Sequence, residues 1–332
     1  MAPTRRTILL SMPALLAGVA PPPRGAHAQD GRADFPARPV TLIAGGSAGG
    51  PTDMISRLVA EGMGKDLGQS VVVENIAGTV FSAGRTAQAR PDGYTVLVTN
   101  VGFAASATLY RQLPYDVVRS FEPLGLVSEA AMTVVTRPGF PAADIGALAE
   151  AMRQRGDALN LAHSGVGSAS HLCGMLLQQV VGARATAVAY RGSAPITTEL
   201  MAGRVDLFCD QATSTLGFLR DRKMNGYAVT SEQRLPRLEN LPTMAEAGMP
   251  AATMNTWHGL FAPAGTPEPV LDRLSAALRA ALREERLRAR FADQLTAPAP
   301  AGRATRDFHR RFHDAEVARW RPVIQAAGVY AD

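Results

Sequence analysis

The stretch Gly45-Gly46-Ser47-Ala48-Gly49-Gly50-Pro51-Thr52-Asp53 indicates the fold of this chain more clearly than any other segment. It follows the apolar run Val40-Thr41-Leu42-Ile43-Ala44, which is typical of a buried strand. Apolar residues at helical spacing follow over residues 54–63, where Pro51 favours a helix start and Gly68 a helix end. The order strand, glycine-rich turn, helix predicts a βα unit.

The same rhythm recurs along the chain and predicts an α/β protein with parallel strands and right-handed crossovers. Further strands are predicted at residues 71–74, 94–98, 159–162, 187–190, 205–209 and 227–230. Helices are predicted over residues 84–90, from Ser170, from Pro195, after Thr266 and around Arg319. These elements form two α/β units, at residues 36–128 and 129–257. Residues 258–332 are expected to return to the first unit, which is short for a stable layer on its own.

The N-terminal residues have the three zones of an export signal in order. The Arg5-Arg6 pair precedes an apolar run of 13 residues, Ile8 to Ala20, which is shorter than the roughly 20 residues of a membrane span. Ala26-His27-Ala28 fits cleavage before Gln29. We therefore expect residues 1–28 to be a signal peptide and the mature protein to be periplasmic. The arginine pair favours the twin-arginine route, with the Sec route as the alternative.

Composition and charge narrow the functional classes. The 332 residues are 46% hydrophobic and 19% charged, as in a globular protein. The net charge of +5 falls to +2 without residues 1–28, because three of the arginines lie there and no acid does. This balance gives no electrostatic case for nucleic-acid binding. Cys173 and Cys209 are the only cysteines, so a zinc site is not expected. In an oxidising compartment they form a disulfide or remain buried thiols.

Two glycine-rich turns are the candidate binding elements. Each joins a strand to a helix, so backbone N–H groups point outward at the positive end of the helix dipole, where an anion binds. The candidate ligand-binding residues of the first turn are Ser47, Ala48, Gly49, Gly50 and Thr52. Those of the second are His163, Ser164, Gly165, Gly167, Ser168 and Ser170. A ligand gripped between the two units could place one carboxylate in each turn; the alternative is two ordinary turns that need glycine for positive φ.

Other patterns have weaker support. Gly45-x-Ser47-x-Gly49 matches the nucleophile turn of serine hydrolases, with Asp210 and His258 as candidate partners. That turn requires the helix to begin directly after the serine, whereas Pro51 sets the start four residues later. The second turn lacks the third glycine of a dinucleotide fingerprint, and no phosphate-binding P-loop occurs. His309 and His313 are predicted to be a surface pair in an arginine-rich tail rather than a metal site.

Ordered sequence blocks over nearly the whole mature chain resemble the substrate-binding receptors of tripartite tricarboxylate transporters, the Bug receptors. The blocks include Ala48-Gly49-Gly50-Pro51-Thr52-Asp53, Pro91-Asp92-Gly93-Tyr94-Thr95, Gly165-x-Gly167-Ser168-x-Ser170-His171-Leu172, Tyr190-Arg191-Gly192-Ser193, Ala202-Gly203-Arg204-Val205-Asp206 and Gly259-Leu260-Phe261-Ala262-Pro263. The resemblance implies a two-lobed periplasmic binding protein fold of type II-like form, with the ligand in a cleft between two doubly wound α/β domains.

The resemblance also implies what the protein does. It predicts a receptor, not an enzyme, that needs no cofactor, captures a small carboxylate and delivers it to the membrane permease subunits of a transporter. It adds Tyr190 and Asp210 to the candidate ligand-binding residues. Departures from the family pattern around Ser47 and residues 76–81 remove one aromatic wall and add Phe81, so the ligand is an aliphatic or an aromatic carboxylate. A monomer is expected, and a sensor without transport is a further alternative.

Overall fold

The computed structural model describes residues 35–332, so the predicted signal peptide lies outside the described residues. None of the helices within that range combines the length and the hydrophobicity of a membrane span. The strands are β1 (Val40–Ala44), β2 (Val71–Asn75), β3 (Thr95–Asn100), β4 (Phe121–Thr136), β5 (Asn160–His163), β6 (Thr186–Ala189), β7 (Leu207–Gln211), β8 (Asn225–Val229), β9 (Asn255–Pro263) and β10 (Thr296–Pro298). The helices are α1 (Pro51–Leu67), α2 (Thr79–Ala87), α3 (Gly102–Leu109), α4 (Ile145–Arg155), α5 (Ala169–Val181), α6 (Ser193–Met201), α7 (Ala212–Arg220), α8 (Glu268–Arg283), α9 (Glu285–Asp293) and α10 (Arg306–Ala327).

The first sheet is built on the predicted βα units. Strand β1 pairs in parallel with β2 on one side and with β3 on the other, so that Thr41 lies beside Val72 and Thr95. The sheet continues through β9, which runs antiparallel to β3, and through the first part of β4. Pro51 begins α1 and Gly68, at φ 69°, ends it, as the sequence predicts.

The second sheet repeats this arrangement. Strand β5 lies between β6 and β7 and is parallel to both. Strands β7 and β8 pair antiparallel with the last residues of β4. The predicted parallel pairing is therefore confirmed within each βαβ unit, but it does not hold for β4, β8, β9 and β10, which are antiparallel to their neighbours.

Strand β4 connects the two sheets, which gives the two-lobed fold that the sequence predicts. It pairs with β9 as far as Ala131 and with β7 from Met132 onward. The chain returns to the first sheet at Asn255, where β9 begins. The changes of sheet thus lie within a few residues of the predicted boundaries at 128/129 and 257/258, although the domain boundaries themselves remain a prediction.

The C-terminal helix α10 covers the first sheet, and its buried stripe is partly polar. His309 and His313 are buried, so their predicted exposure is wrong. His309 Nδ1 accepts a hydrogen bond from the Gly125 N–H at 3.2 Å, and His313 Nε2 lies 3.1 Å from the Val117 carbonyl oxygen. Because their ring nitrogens contact backbone groups, these polar side chains can lie on the buried face of α10, which the sequence predicts to be exposed. Among the described residues, no cluster of three or more His, Cys, Asp or Glu side chains could hold a metal.

The two cysteines are free thiols, each buried in the second lobe. Cys173 lies on α5 and Cys209 on β7. The contact with Cys209 and burial raise the pKa of the Cys173 thiol well above its usual value. Of the two alternatives, the structure has the buried thiols.

Candidate functional site

A cavity of about 530 Å³ lies between the two lobes, bounded by the β1–α1 and β5–α5 turns. This volume falls within the range of small-molecule sites, about 300–1,000 Å³. The structure brings together on its wall ten of the predicted residues: Ser47, Ala48, Gly49, Gly50, Thr52, Ser164, Gly165, Ser168, Ser170 and Asp210. Residues distant in sequence thus form one concave surface.

Asp53 holds the first turn in shape from behind the cavity. Its carboxylate accepts hydrogen bonds from the Gly49 N–H at 2.8 Å and from Asn75 Nδ2 at 2.9 Å, and it pairs with Arg57 at 2.9 Å. Burial alone would raise the pKa of Asp53, but the contacts with Gly49, Asn75 and Arg57 outweigh it and lower the pKa. Asp53 is therefore ionised and supports the turn. It is the third residue of α1, where its negative charge also interacts favourably with the helix dipole.

The support leaves donors of the first turn free to meet a ligand. The backbone N–H groups of Ser47, Ala48 and Thr52 have no acceptor within residues 35–332. All three residues line the cavity. Together with the dipole of α1, these N–H groups can bind a carboxylate without any cationic side chain.

A buried polar chain connects Thr52 to the first sheet. Thr52 Oγ1 accepts a hydrogen bond from Asn100 Nδ2 at 3.4 Å and lies 3.4 Å from His258 Nε2. His258 Nδ1 lies 3.2 Å from Ser128 Oγ, and burial lowers the pKa of His258 to about 3. Both ring nitrogens of His258 are therefore occupied by other hydroxyls, and the geometry assembles no Ser47–His258–Asp210 triad.

Serine side chains hold the second turn. Ser170 Oγ accepts a hydrogen bond from the Ser164 N–H at 2.8 Å and lies 2.8 Å from Ser164 Oγ and 3.0 Å from Ser168 Oγ. Ser168 caps α5 by accepting the His171 N–H at 3.2 Å. The three hydroxyls therefore close the turn on itself while they border the cavity, where they can also exchange hydrogen bonds with a bound oxygen atom.

Four of the predicted residues do not line this cavity. Phe81 is 73% exposed and does not line the cavity, while the turn before it, at Gly78 and Thr79, supplies the wall. Tyr190 packs against the hydrophobic cluster of α6 and the second sheet. Gly167 adopts φ 75° at the back of its turn, where its N–H donates to His171 Nδ1 at 3.2 Å.

His163, the fourth, lies against His171 with the ring centroids 4.3 Å apart and the ring planes tilted by 35°. It borders a second cavity of about 420 Å³ behind α5. Burial lowers the pKa of His163 and lowers that of His171 to about 4. Both rings are therefore neutral at physiological pH and lie on the far side of the turn from the main cavity. Ser170 lies between the two cavities and borders both.

Sequence reasoning missed polar residues that follow other strands of the two sheets. The additional polar lining residues are Thr79, Asn100, Arg191, Ser193, Thr197, Thr198, Gln211 and Ser214. Thr79, Ser193 and Ser214 belong to the starts of helices α2, α6 and α7, and Asn100 and Gln211 end strands β3 and β7. The signal was available, because the carboxyl ends of parallel strands share one edge of a sheet and form its binding crevice.

Asp210 lies at the end of β7 and is 3% exposed. Burial raises the pKa of its carboxyl group to about 6, although the Ser193 and Ser214 hydroxyls and the Gln211 N–H oppose this shift. Its carbonyl oxygen accepts a hydrogen bond from Thr133 Oγ1 of β4 at 3.1 Å. The strand is therefore anchored, and the side chain is held at the cavity wall.

The fold is that of the periplasmic solute-binding proteins, with a donor-lined cavity between two α/β lobes. Residues 55–329 match the model of the tripartite tricarboxylate transporter family receptors, TctC. The chain belongs to this family, which confirms the family and the fold that the sequence predicts.

Solved structures give the same picture. The periplasmic binding protein BugD is 38% identical, with a TM-score of 0.85 over 90% of this chain and 100% of that one. MatC from Rhodopseudomonas palustris, solved with bound malate, is 34% identical, with a TM-score of 0.83 over 87% and 100% of the two chains. Rpa4515 of R. palustris, solved with adipate, is 32% identical, with a TM-score of 0.83 over 90% and 99%. These relatives are solute-binding proteins that include carboxylate binders.

Proposed function

We propose that this protein is an exported receptor that captures a small carboxylate between its lobes and delivers it to the membrane subunits of a tripartite transporter. The carboxylate is bound unchanged. The ligand-binding groups are the N–H donors and hydroxyls of the two glycine-rich turns, supplemented by Asn100 and the starts of α6 and α7.

One observation carries the proposal: free N–H donors of the first turn and the hydroxyl cluster of the second turn border a single cavity. Ser47, Ala48 and Thr52 provide the free N–H groups, and Ser164 and Ser170 border the same space. Such donors stabilise an anion in a crevice of low dielectric constant. The carbon chain of the ligand can then pack against apolar lining residues such as Met54 and Phe218. The malate and adipate of the related structures have this chemistry and support the choice of ligand class.

Binding is tested by thermal unfolding of the protein with a panel of acids. The panel contains citrate, C4–C6 diacids, amino acids, nicotinate and benzene carboxylates. A ligand at 100 times its Kd adds about 2.7 kcal/mol to the free energy of unfolding, which a melting curve resolves. Protein that has been unfolded and refolded is measured as well, because a ligand retained from the host would hide a response. A second series without any shift contradicts the proposal.

Export and delivery need separate measurements. Expression with residues 1–28 intact is expected to yield periplasmic protein that begins at Gln29, which N-terminal sequencing determines. Delivery is tested by uptake of the radiolabelled best ligand into cells that contain the permease subunits, with and without the receptor. Uptake that does not depend on the receptor would favour the role of a sensor without transport.

Turnover distinguishes the receptor from the hydrolase alternative. In the presence of the protein, p-nitrophenyl acetate is expected to hydrolyse only at its uncatalysed rate. The reason is that both ring nitrogens of His258 contact the hydroxyls of Thr52 and Ser128. Turnover that is lost in Ser47→Ala would instead support an enzyme. The folded state of the variant is checked by its circular dichroism spectrum.

A further inference from the structure

Among the described residues that line the main cavity, few are charged, and Asp210 is the only acid. Apart from Asp210, the single charged lining residue is Arg191, whose side chain is exposed. The two turns offer mainly donors, and Asp210 offers an acceptor from the second sheet. The cavity therefore has two unlike parts, one suited to an anion and one suited to a hydrogen-bond donor.

Asp210 Oδ2 is buried without a hydrogen-bond partner within residues 35–332. Gln211 Oε1, next along the strand, is also buried and without a partner. A hydrogen-bond donor stabilises a buried carboxylate oxygen, and more strongly than it stabilises a neutral acceptor. Since the same residues line the cavity, a ligand can supply the missing donor.

The position of Asp210 is fixed by its surroundings. All five residues of β7 are buried, and the strand lies between β4 and β5. The Thr133 hydroxyl holds the Asp210 carbonyl group from the β4 side. The backbone at Asp210 is therefore held within the sheet, and its side chain lies at the cavity wall.

We propose that Asp210 recognises an ammonium or hydroxyl group on the ligand, so that this receptor prefers amino- or hydroxy-substituted carboxylates to unsubstituted ones. The inference rests on the proposed function, because the carboxylate of the same ligand is bound by the two turns. The donor group on the ligand supplies a partner for Asp210 Oδ2, while a plain alkyl chain leaves that oxygen atom without one.

Ligands of matched chain length test this preference. Isothermal titration compares succinate, malate and aspartate, then glutarate, 2-hydroxyglutarate and glutamate, then adipate and 2-aminoadipate, with the protein stripped of ligand by refolding. We expect the substituted acid of the best-fitting length to bind roughly 10- to 100-fold more tightly than the unsubstituted acid, the effect of a hydrogen bond to a charged group. Equal or tighter binding of the unsubstituted acid overturns the inference and leaves the carboxylate receptor standing. No binding by any acid contradicts the proposed function itself.

The variant Asp210→Asn locates the preference. It retains the shape of the side chain and removes its charge. The preference for the amino-substituted acid over the unsubstituted acid is therefore expected to disappear. The matched control is Asp221→Asn, which makes the same change at an exposed ion pair with Lys223 of the same lobe. A folded Asp210→Asn protein that keeps the full preference overturns the assignment. If that variant does not fold, the comparison of matched ligands on the unaltered protein still decides the question.

Discussion

The contact between Gly102 and Gly167 offers a test of whether the two lobes close on the ligand. Gly102 begins α3 in the first lobe, and Gly167 lies in the second turn of the other lobe. A Cβ atom added at Gly102 would lie 2.1 Å from the Gly167 carbonyl oxygen. Ordinary contacts between carbon and oxygen are about 3.3–3.6 Å, so the variant Gly102→Ala forces the lobes apart by about 1 Å at this point.

The magnitude follows from the cost of overpacking a single methyl group, about 1–3 kcal/mol. An open cleft relieves the clash, so the cost falls on the closed, ligand-bound state. We expect the Kd of the best carboxylate to rise about 5- to 150-fold, while the melting temperature of the ligand-free protein changes little. Titration calorimetry measures the first quantity and a thermal melt the second.

The control is Gly217→Ala, because Gly217 is also helical and a Cβ atom added there meets nothing within 4 Å. This control is expected to bind as the wild type does. A folded Gly102→Ala protein with the wild-type Kd would refute the reasoning, since the contact would then not belong to the bound state. An equal loss of stability in the ligand-free protein would refute it as well, by showing that the clash is not relieved by opening.

Three further predictions concern stability and thiol chemistry. Asp53→Ala leaves the Gly49 N–H without its acceptor. We expect this variant to lower the free energy of unfolding in urea melts by about 2–3 kcal/mol and to weaken ligand binding. Burial lowers the pKa of His258 to about 3, and the unfolded value is about 6.5. The unfolded state therefore binds the proton first as pH falls, and this residue alone removes about 2 kcal/mol of stability between pH 6.5 and 5 in urea melts. Thiol titration of Cys173 and Cys209 is expected to give two equivalents only after unfolding.

Each of these outcomes has a clear contrary. For the first, Glu61→Ala on the same helix removes an exposed acid and should change stability by less than about 1 kcal/mol. If both variants lowered the free energy of unfolding equally, Asp53 would not support the turn in the way described. Unfolding free energies that stay constant from pH 6.5 to 5 would contradict the burial of neutral His258. Absence of thiol after unfolding would show that the exported protein carries the disulfide instead.

Local patterns determined much of this fold in advance. The apolar run of β1 and the Pro51 and Gly68 signals of α1 are confirmed at the predicted residues, because short-range sterics and hydrogen bonding decide them. The predicted helix at residues 84–90 instead spans Thr79–Ala87, since its start depends on Gly78 at φ 92°, a conformation that the sequence left unassigned. Boundaries that depend on turn geometry are less accessible to periodicity than the elements themselves.

The sequence by itself determined the alternation of strands and helices, the two glycine-rich turns and the family. Only the tertiary structure decided how β4 passes from one sheet to the other, which residues accompany the turns in the cavity, and that His309 is buried against Gly125. The physical reason is range. Helices and turns depend on neighbours within a few residues, whereas the cavity and the buried histidines depend on partners such as Gly125 and His309, which lie 184 residues apart.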